Sequence, residues 1–179
     1  PMTGLDAFEP ADRDRIAAMP MFAGMAVTAA DPSGLFGAIK ESAAMAQALN
    51  KARDTKDNPL IAAAVESFSS SEGRSAVTTL LKEGVKGKDP KGIVDNLIGE
   101  ISQISGIIAQ KAPEAAPGFN NWLIDIAQSV AEASKEGEFL GFGGVKVSPE
   151  ETATIERLKA ALSGTAAPAA TTQTPPPVA

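Results

Sequence analysis

The sequence predicts an all-α protein, a single-domain bundle of about six to eight helices, and three observations carry this prediction. The apolar fraction is 44%, with seven phenylalanines, one tryptophan and no tyrosine, which favours close helix packing over an aromatic-rich sheet. Apolar residues recur at steps of three and four along most of the chain. Capping residues followed by proline mark several helix starts. A chain of 179 residues is long enough for one domain with its own core.

In the first half of the chain, prolines and capping residues divide the apolar pattern into short helices. Pro20 is interpreted as the start of a separate helix, and the break Asp31-Pro32-Ser33-Gly34 as a turn between helices. The predicted helices run from Pro10 to Met19, from Pro20 to Ala30, from Ser33 to Leu49, from Asn58 to an end between Ser69 and Glu72, and from Arg74 to Glu83.

In the second half, Asp89-Pro90 begins the most regular apolar pattern of the chain, rich in isoleucine. We expect this helix at the centre of the core, because its helical period outweighs the weak helix propensity of β-branched residues. An amphipathic helix follows from Phe119 to about Glu136. Ser148-Pro149-Glu150-Glu151 then has the full signature of a helix start, with a serine cap and a glutamate three residues later.

The predicted domain organisation has three parts. Residues 1–9 form an N-terminal extension, in which Pro1 is interpreted as an addition ahead of the natural start at Met2. Residues 10–163 form the helical domain. Residues 164–179 form a tail without charge and almost without large apolar side chains, which predicts disorder. The tail is interpreted as a spacer, with a proline-rich ligand as the alternative.

Composition also excludes several functions. The chain contains no cysteine and no histidine, which removes thiol nucleophiles, thiolate zinc sites and the usual general base. We therefore predict a protein that is not an enzyme.

Charge and hydropathy bear on partners and location. The net charge of -6 disfavours binding to nucleic acid, and the lysines between residues 82 and 91 alternate with acids. No apolar run of about 18 residues occurs, so we predict no membrane insertion and a cytoplasmic location.

The stretch from residue 138 to 147 is the candidate partner-binding site. It combines three glycines with several apolar side chains, of which Phe139, Leu140, Phe142 and Val145 are the candidate contact residues. The run lacks the lysine and the hydroxyl residue of a phosphate-binding loop, so we do not predict a nucleotide site. Two interpretations stay open. The apolar side chains either cover the core as a lid, or stand exposed and bind a protein partner.

Acidic residues offer the alternative chemistry. Asp125 and Glu132 lie at helical spacing on the side of their helix away from Trp122, where a solvated face is the ordinary interpretation. The other interpretation is that Asp125 or Glu132 joins Glu138, Glu150 or Glu151 around a hard cation, because Ca²⁺ and Mg²⁺ prefer oxygen ligands.

The second half of the chain also resembles a known family. The small-residue helix from Ile126 to Ala133, the glycine-bearing loop after it and the capped start at Ser148-Pro149-Glu150-Glu151 are similar to the repeat unit of the TerB-like family, named for tellurite resistance. The segment from Met25 to Gly34 resembles a degenerate first copy. The resemblance implies an all-helical fold in a stress response and an acidic site for Ca²⁺ or Mg²⁺ that maps onto Asp31 and Glu151. An uncharacterised bacterial helical family fits the same features.

The sequence therefore predicts a non-catalytic helical protein that acts through contacts with an unidentified protein partner, without a cofactor. The alternative is a TerB-like stress-response module with a carboxylate cation site.

Overall fold

A computed structural model describes residues 3–31, 38–52, 57–133 and 147–164. Within these ranges the backbone forms one short 3₁₀ turn, Leu5–Ala7, and seven α-helices, which confirms the predicted all-α bundle. The helices are α1 (Pro10–Ala30), α2 (Ala38–Ala52), α3 (Pro59–Ser69), α4 (Ser71–Val85), α5 (Pro90–Lys111), α6 (Ala116–Ala133) and α7 (Pro149–Ser163). The stretch predicted as a disordered tail lies outside the described residues from position 165 onward.

Three helix starts follow the predicted combination of a cap and a proline. The Asn58 side chain accepts a hydrogen bond from the backbone N–H of Leu60 at 3.0 Å, and Asp89 accepts one from Gly92 at 2.8 Å. Ser148 caps α7 in the same way. Each cap satisfies a backbone donor that has no partner inside the helix, so short polar signals in the sequence determine where α3, α5 and α7 begin.

Pro20 does not open a second helix, so that prediction was wrong. It lies inside α1, and almost every residue around it from Ile16 to Val27 is buried. Proline removes one backbone hydrogen bond from a helix interior. Because α1 is buried on nearly all sides from Ile16 to Val27, tertiary packing rather than an unbroken hydrogen-bond ladder stabilises this part of the helix.

The centre of the core is α1, and not α5 as the apolar pattern predicted. α1 contacts all six of the other α-helices within the described ranges. α5 is buried on one side, where Leu97, Ile101 and Ile104 pack into the core, while Gly99 and Gly106 are exposed on the other. A helix at the centre of a core is apolar all round, whereas a clean stripe belongs to a helix at its edge.

The directions of the helices follow from contacts at their ends. The Lys111 ammonium lies 5.7 Å from the ring centroid of Phe8, and Arg15 forms a salt bridge of 3.0 Å with Glu100. In these contacts the residue number increases from Phe8 to Arg15 while that of the partner decreases from Lys111 to Glu100. The helices α1 and α5 are therefore antiparallel. α1 therefore ends at the side of the bundle where α5 begins.

α7 runs in the same direction as α5. The Arg157 guanidinium lies 2.9 Å from Asp95, and the Ser105 hydroxyl donates to the backbone carbonyl of Leu162 at 3.2 Å. The start of α7 and the end of α1 therefore lie at the same end of the bundle. No helix in the described ranges combines the length and the apolar character that crossing a bilayer requires.

The residues ahead of α1 also join the bundle. The Phe8 side chain is buried in the core, and the Arg13 Nε donates to the Phe8 carbonyl at 2.8 Å. The backbone N–H of Thr3 donates to the Glu114 carboxylate at 2.7 Å. This last contact ties the first described residue to the turn between α5 and α6.

The pKa of Glu114 lies below the ordinary value for glutamate because its own backbone N–H, and then the side chain and backbone of Thr3, donate to the carboxylate. A carboxyl group with a lowered pKa in the folded state contributes stability at higher pH and loses it as pH falls through that pKa.

We therefore expect the contact between Thr3 and Glu114 to loosen on acidification. In a side-chain NMR titration Glu114 should have a lowered midpoint, and Thr3→Pro, which removes the N–H donor, should raise it. Thr3→Ser is the control. An ordinary midpoint that Thr3→Pro does not move would contradict this account.

Candidate functional site

The four residues predicted to bind a partner, Phe139, Leu140, Phe142 and Val145, lie outside the described residues, so both interpretations of that stretch stay predictions.

Asp31 and Glu151, the predicted metal ligands, are both described and both buried. They lie at the same end of the bundle, because Asp31 follows the end of α1 and Glu151 lies in the first turn of α7. Glu151 has a structural role there: its carboxylate accepts the backbone N–H of Ser148 at 3.1 Å, and the Ser148 hydroxyl accepts the N–H of Glu151 at 3.1 Å. This capping box satisfies two backbone donors of α7.

Acidic residues are not clustered elsewhere in the described ranges in a way that suits a metal. Across those ranges, no group of three or more histidine, cysteine, aspartate or glutamate side chains is close enough together to hold a metal ion. Asp125 and Glu132 are exposed on α6. A cation role for Asp31 and Glu151 stays a prediction.

The described surface contains an open groove of about 590 Å³ along the outer side of α4, here called the α4 groove. Seven residues of α4 and one residue of α1 line it. They are Asp14, Ser71, Glu72, Ser75, Ala76, Thr79, Leu80 and Glu83. The residues of α4 fall into two adjacent rows at steps of four, because side chains four apart lie above one another on a helix.

The start of α4 gives the groove its length. The Ser70 hydroxyl accepts the backbone N–H of Gly73 at 3.0 Å, which caps the helix. The helix therefore includes Ser71 and Glu72, and the groove runs over about 18 Å from Ser71 to Glu83 at the rise of an α-helix.

The floor of the groove is apolar and its rim is acidic. Ala76 and Leu80 are half-buried, and Leu80 packs against the hydrophobic core. Asp14, Glu72 and Glu83 are exposed around this floor, and none of the three forms a salt bridge with any residue that the structure describes. No lysine or arginine lines the groove, so the charged side chains in its lining are all acidic.

The groove is chemically suited to recognition. Ser71, Ser75 and Thr79 supply hydroxyl groups, but the chain has no histidine that would activate a hydroxyl as a nucleophile. An apolar floor inside a polar rim is instead the usual composition of a protein–protein contact.

The sequence predicted part of this site. It predicted a helix from Arg74 to Glu83, one turn shorter at the start than α4, which begins at Ser71 because Ser70 is its cap. This cap was a readable signal. The position of Asp14 beside α4 had no local signal, since it depends on how α1 packs against α4.

We find no protein-family model that matches this chain, and no curated protein or solved structure that matches it.

Proposed function

We propose that this chain is a non-catalytic helical protein that acts through protein–protein contacts in the cytoplasm, with the α4 groove as one contact surface. The observation that carries the proposal is the groove itself: an apolar floor at Ala76 and Leu80, of which Leu80 packs against the core, bordered by exposed polar side chains.

The openness of the groove favours a protein over a small molecule. Small-molecule sites are concave and enclose most of the ligand surface. Here the lining residues of α4, among them Ser75 and Thr79, are mostly exposed, so a small ligand would stay largely in water. A partner helix or strand can cover the whole length of the groove at once.

The stretch with Phe139, Leu140, Phe142 and Val145 remains a second proposed contact surface. Its support is the sequence alone, in which four apolar side chains occur within a glycine-rich run between two helices.

Site-specific photo-cross-linking tests the proposal. A photoreactive residue at Ala76 should give one discrete, saturable protein adduct in cells that produce the protein. The same residue at Asp125, exposed on α6, is the control and should give none. Identical adducts from both positions, or no adduct from Ala76, would contradict a contact through the α4 groove.

The second candidate is the cation site that the TerB-like resemblance implies. One observation favours it: Asp31 and Glu151 are carboxylates at the same end of the bundle, and Ca²⁺ and Mg²⁺ prefer carboxylate oxygens as ligands.

For this second candidate we expect Ca²⁺ or Mg²⁺ in excess to raise the melting temperature, because a ligand that binds only the folded state stabilises it. Glu151→Gln keeps a side-chain acceptor for the Ser148 N–H and should abolish the rise without unfolding the protein. Glu156→Gln, exposed on α7, should leave the rise unchanged. An unchanged melting temperature in excess metal would eliminate this candidate.

A further inference from the structure

We infer that the α4 groove binds a basic amphipathic helix of a partner protein. This inference rests on the proposed function and adds the chemistry of the partner.

Charge selects a basic partner. Asp14, Glu72 and Glu83 are three exposed carboxylates around one groove that has no basic residue in its lining. The whole chain carries a net charge of -6, so the long-range field has the same sign as the groove. Complementary charge steers association and excludes acidic partners by repulsion.

The spacing of Glu72 and Glu83 favours a helical partner. Glu72 and Glu83 are eleven residues apart, which is close to three full turns and about 16 Å along the axis. Both carboxylates therefore lie on the same side of α4. A helix that lies along the groove presents two residues eleven positions apart on one face, so two lysines or arginines at that spacing meet Glu72 and Glu83 together.

The floor of the α4 groove determines which partner residues can lie between the two basic positions of the partner helix. Ser75, Ala76 and Thr79 are small and Leu80 is half-buried, so the ridge of a second helix can approach α4 closely. Apolar residues of the partner, placed between its two basic positions, would cover Ala76 and Leu80. Asp14, on the α1 side of the groove, then limits how far the partner helix can shift sideways.

Peptide binding to the full 179-residue chain tests this inference. The probe is a fluorescent helical peptide of about 15 residues, built from alanine, glutamine, two leucines and two lysines, with the lysines eleven positions apart on the leucine face. A second peptide has the same composition with both lysines on the opposite face. We expect the first peptide to bind about tenfold more tightly in fluorescence anisotropy, the effect of a few partly desolvated charge pairs.

Charge reversal locates the binding surface. Glu72→Lys with Glu83→Lys should weaken binding of the first peptide by at least about tenfold. Asp125→Lys with Glu132→Lys makes the same change in net charge on α6 and should change the affinity by less than about twofold. Circular dichroism melting should show that both double variants are folded, because all four positions are exposed.

The inference would be overturned if the two peptides bound equally, or if the two double variants lost the same affinity. It would also be overturned if neither peptide bound and the chain formed a dimer that the Glu72→Lys/Glu83→Lys substitutions dissociate. The last result would identify a second copy as the occupant. A discrete adduct at Ala76 without peptide binding would refute the basic helix and retain the protein contact. Absence of the adduct would refute the proposed function itself.

Discussion

Truncation of Phe119 to alanine will lower the free energy of unfolding by about 3–5 kcal/mol, the usual cost of removing a buried phenylalanine side chain. Phe119 is fully buried in the first turns of α6. Its ring centroid lies 5.8 Å from that of Trp122 at a tilt of 47°, a geometry that adds to the value of burial. A domain has a total stability of about 5–15 kcal/mol, so the variant will be close to unfolding.

Chemical denaturation followed by circular dichroism measures this loss. The chain has one tryptophan, so the fluorescence of Trp122 gives an independent record of the same transition. Asn121→Ala is the control, because Asn121 is exposed on the same helix and exposed substitutions usually change stability by less than about 0.5 kcal/mol. A loss below about 1 kcal/mol for Phe119→Ala would show that the side chain is not packed as described.

Asn58→Ala will be the second large loss, about 2–4 kcal/mol, because one buried side chain makes three hydrogen bonds. Its oxygen accepts the backbone N–H groups of Leu60 at 3.0 Å and Ile61 at 3.3 Å, and its nitrogen donates to the carbonyl of Ala115 at 2.8 Å. Asn58 thus caps α3 and ties it to the turn between α5 and α6. Alanine leaves two buried N–H donors of α3 without the cap.

Asn58→Ser separates these two roles. Serine keeps an oxygen that caps α3 but has no amide to reach Ala115, whose carbonyl still accepts the N–H of Phe119. We therefore expect Asn58→Ser to cost about 1 kcal/mol, the value of one hydrogen bond. Equal losses for the serine and alanine variants would mean that the link to Ala115, and not the cap, holds this region together.

The sequence predicted those parts of the fold that depend on neighbouring residues. Asn58, Asp89 and Ser148 are short polar side chains ahead of proline, and each caps a helix in the structure. The capping box at Ser148 and Glu151 was readable because both of its hydrogen bonds lie within four residues. Such signals do not depend on the rest of the chain.

The arrangement of the core was harder to predict. From Ile16 to Val27, α1 has apolar and small residues on nearly all sides, so this segment has no clear polar face, and Pro20 inside it is typical of a helix start. Burial on every side is a property of the assembled bundle. The regular apolar stripe of α5 predicted a central helix, but such a stripe is typical of a helix that packs into the core from one side only.

The candidate site also combines features that local sequence predicts with features that depend on the packing of distant segments. Local spacing places Glu72 and Glu83 on one side of α4, and a sequence pattern can find such a pair. Asp14 is far from them in the sequence and reaches the groove only through the packing of α1 against α4. The predicted ligand Glu151 belongs to a sequence motif, and in the structure this motif forms the capping box of α7.

The most direct test of the central claim, that the α4 groove is a protein contact surface, is amide NMR mapping on the ¹⁵N-labelled chain. We predict that titration with the peptide whose lysines are eleven residues apart will shift amides from Ser71 to Glu83 and around Asp14, and that Glu72→Lys will suppress these shifts. Shifts confined to residues 138–147, or spread evenly over all exposed acidic residues, would contradict the claim.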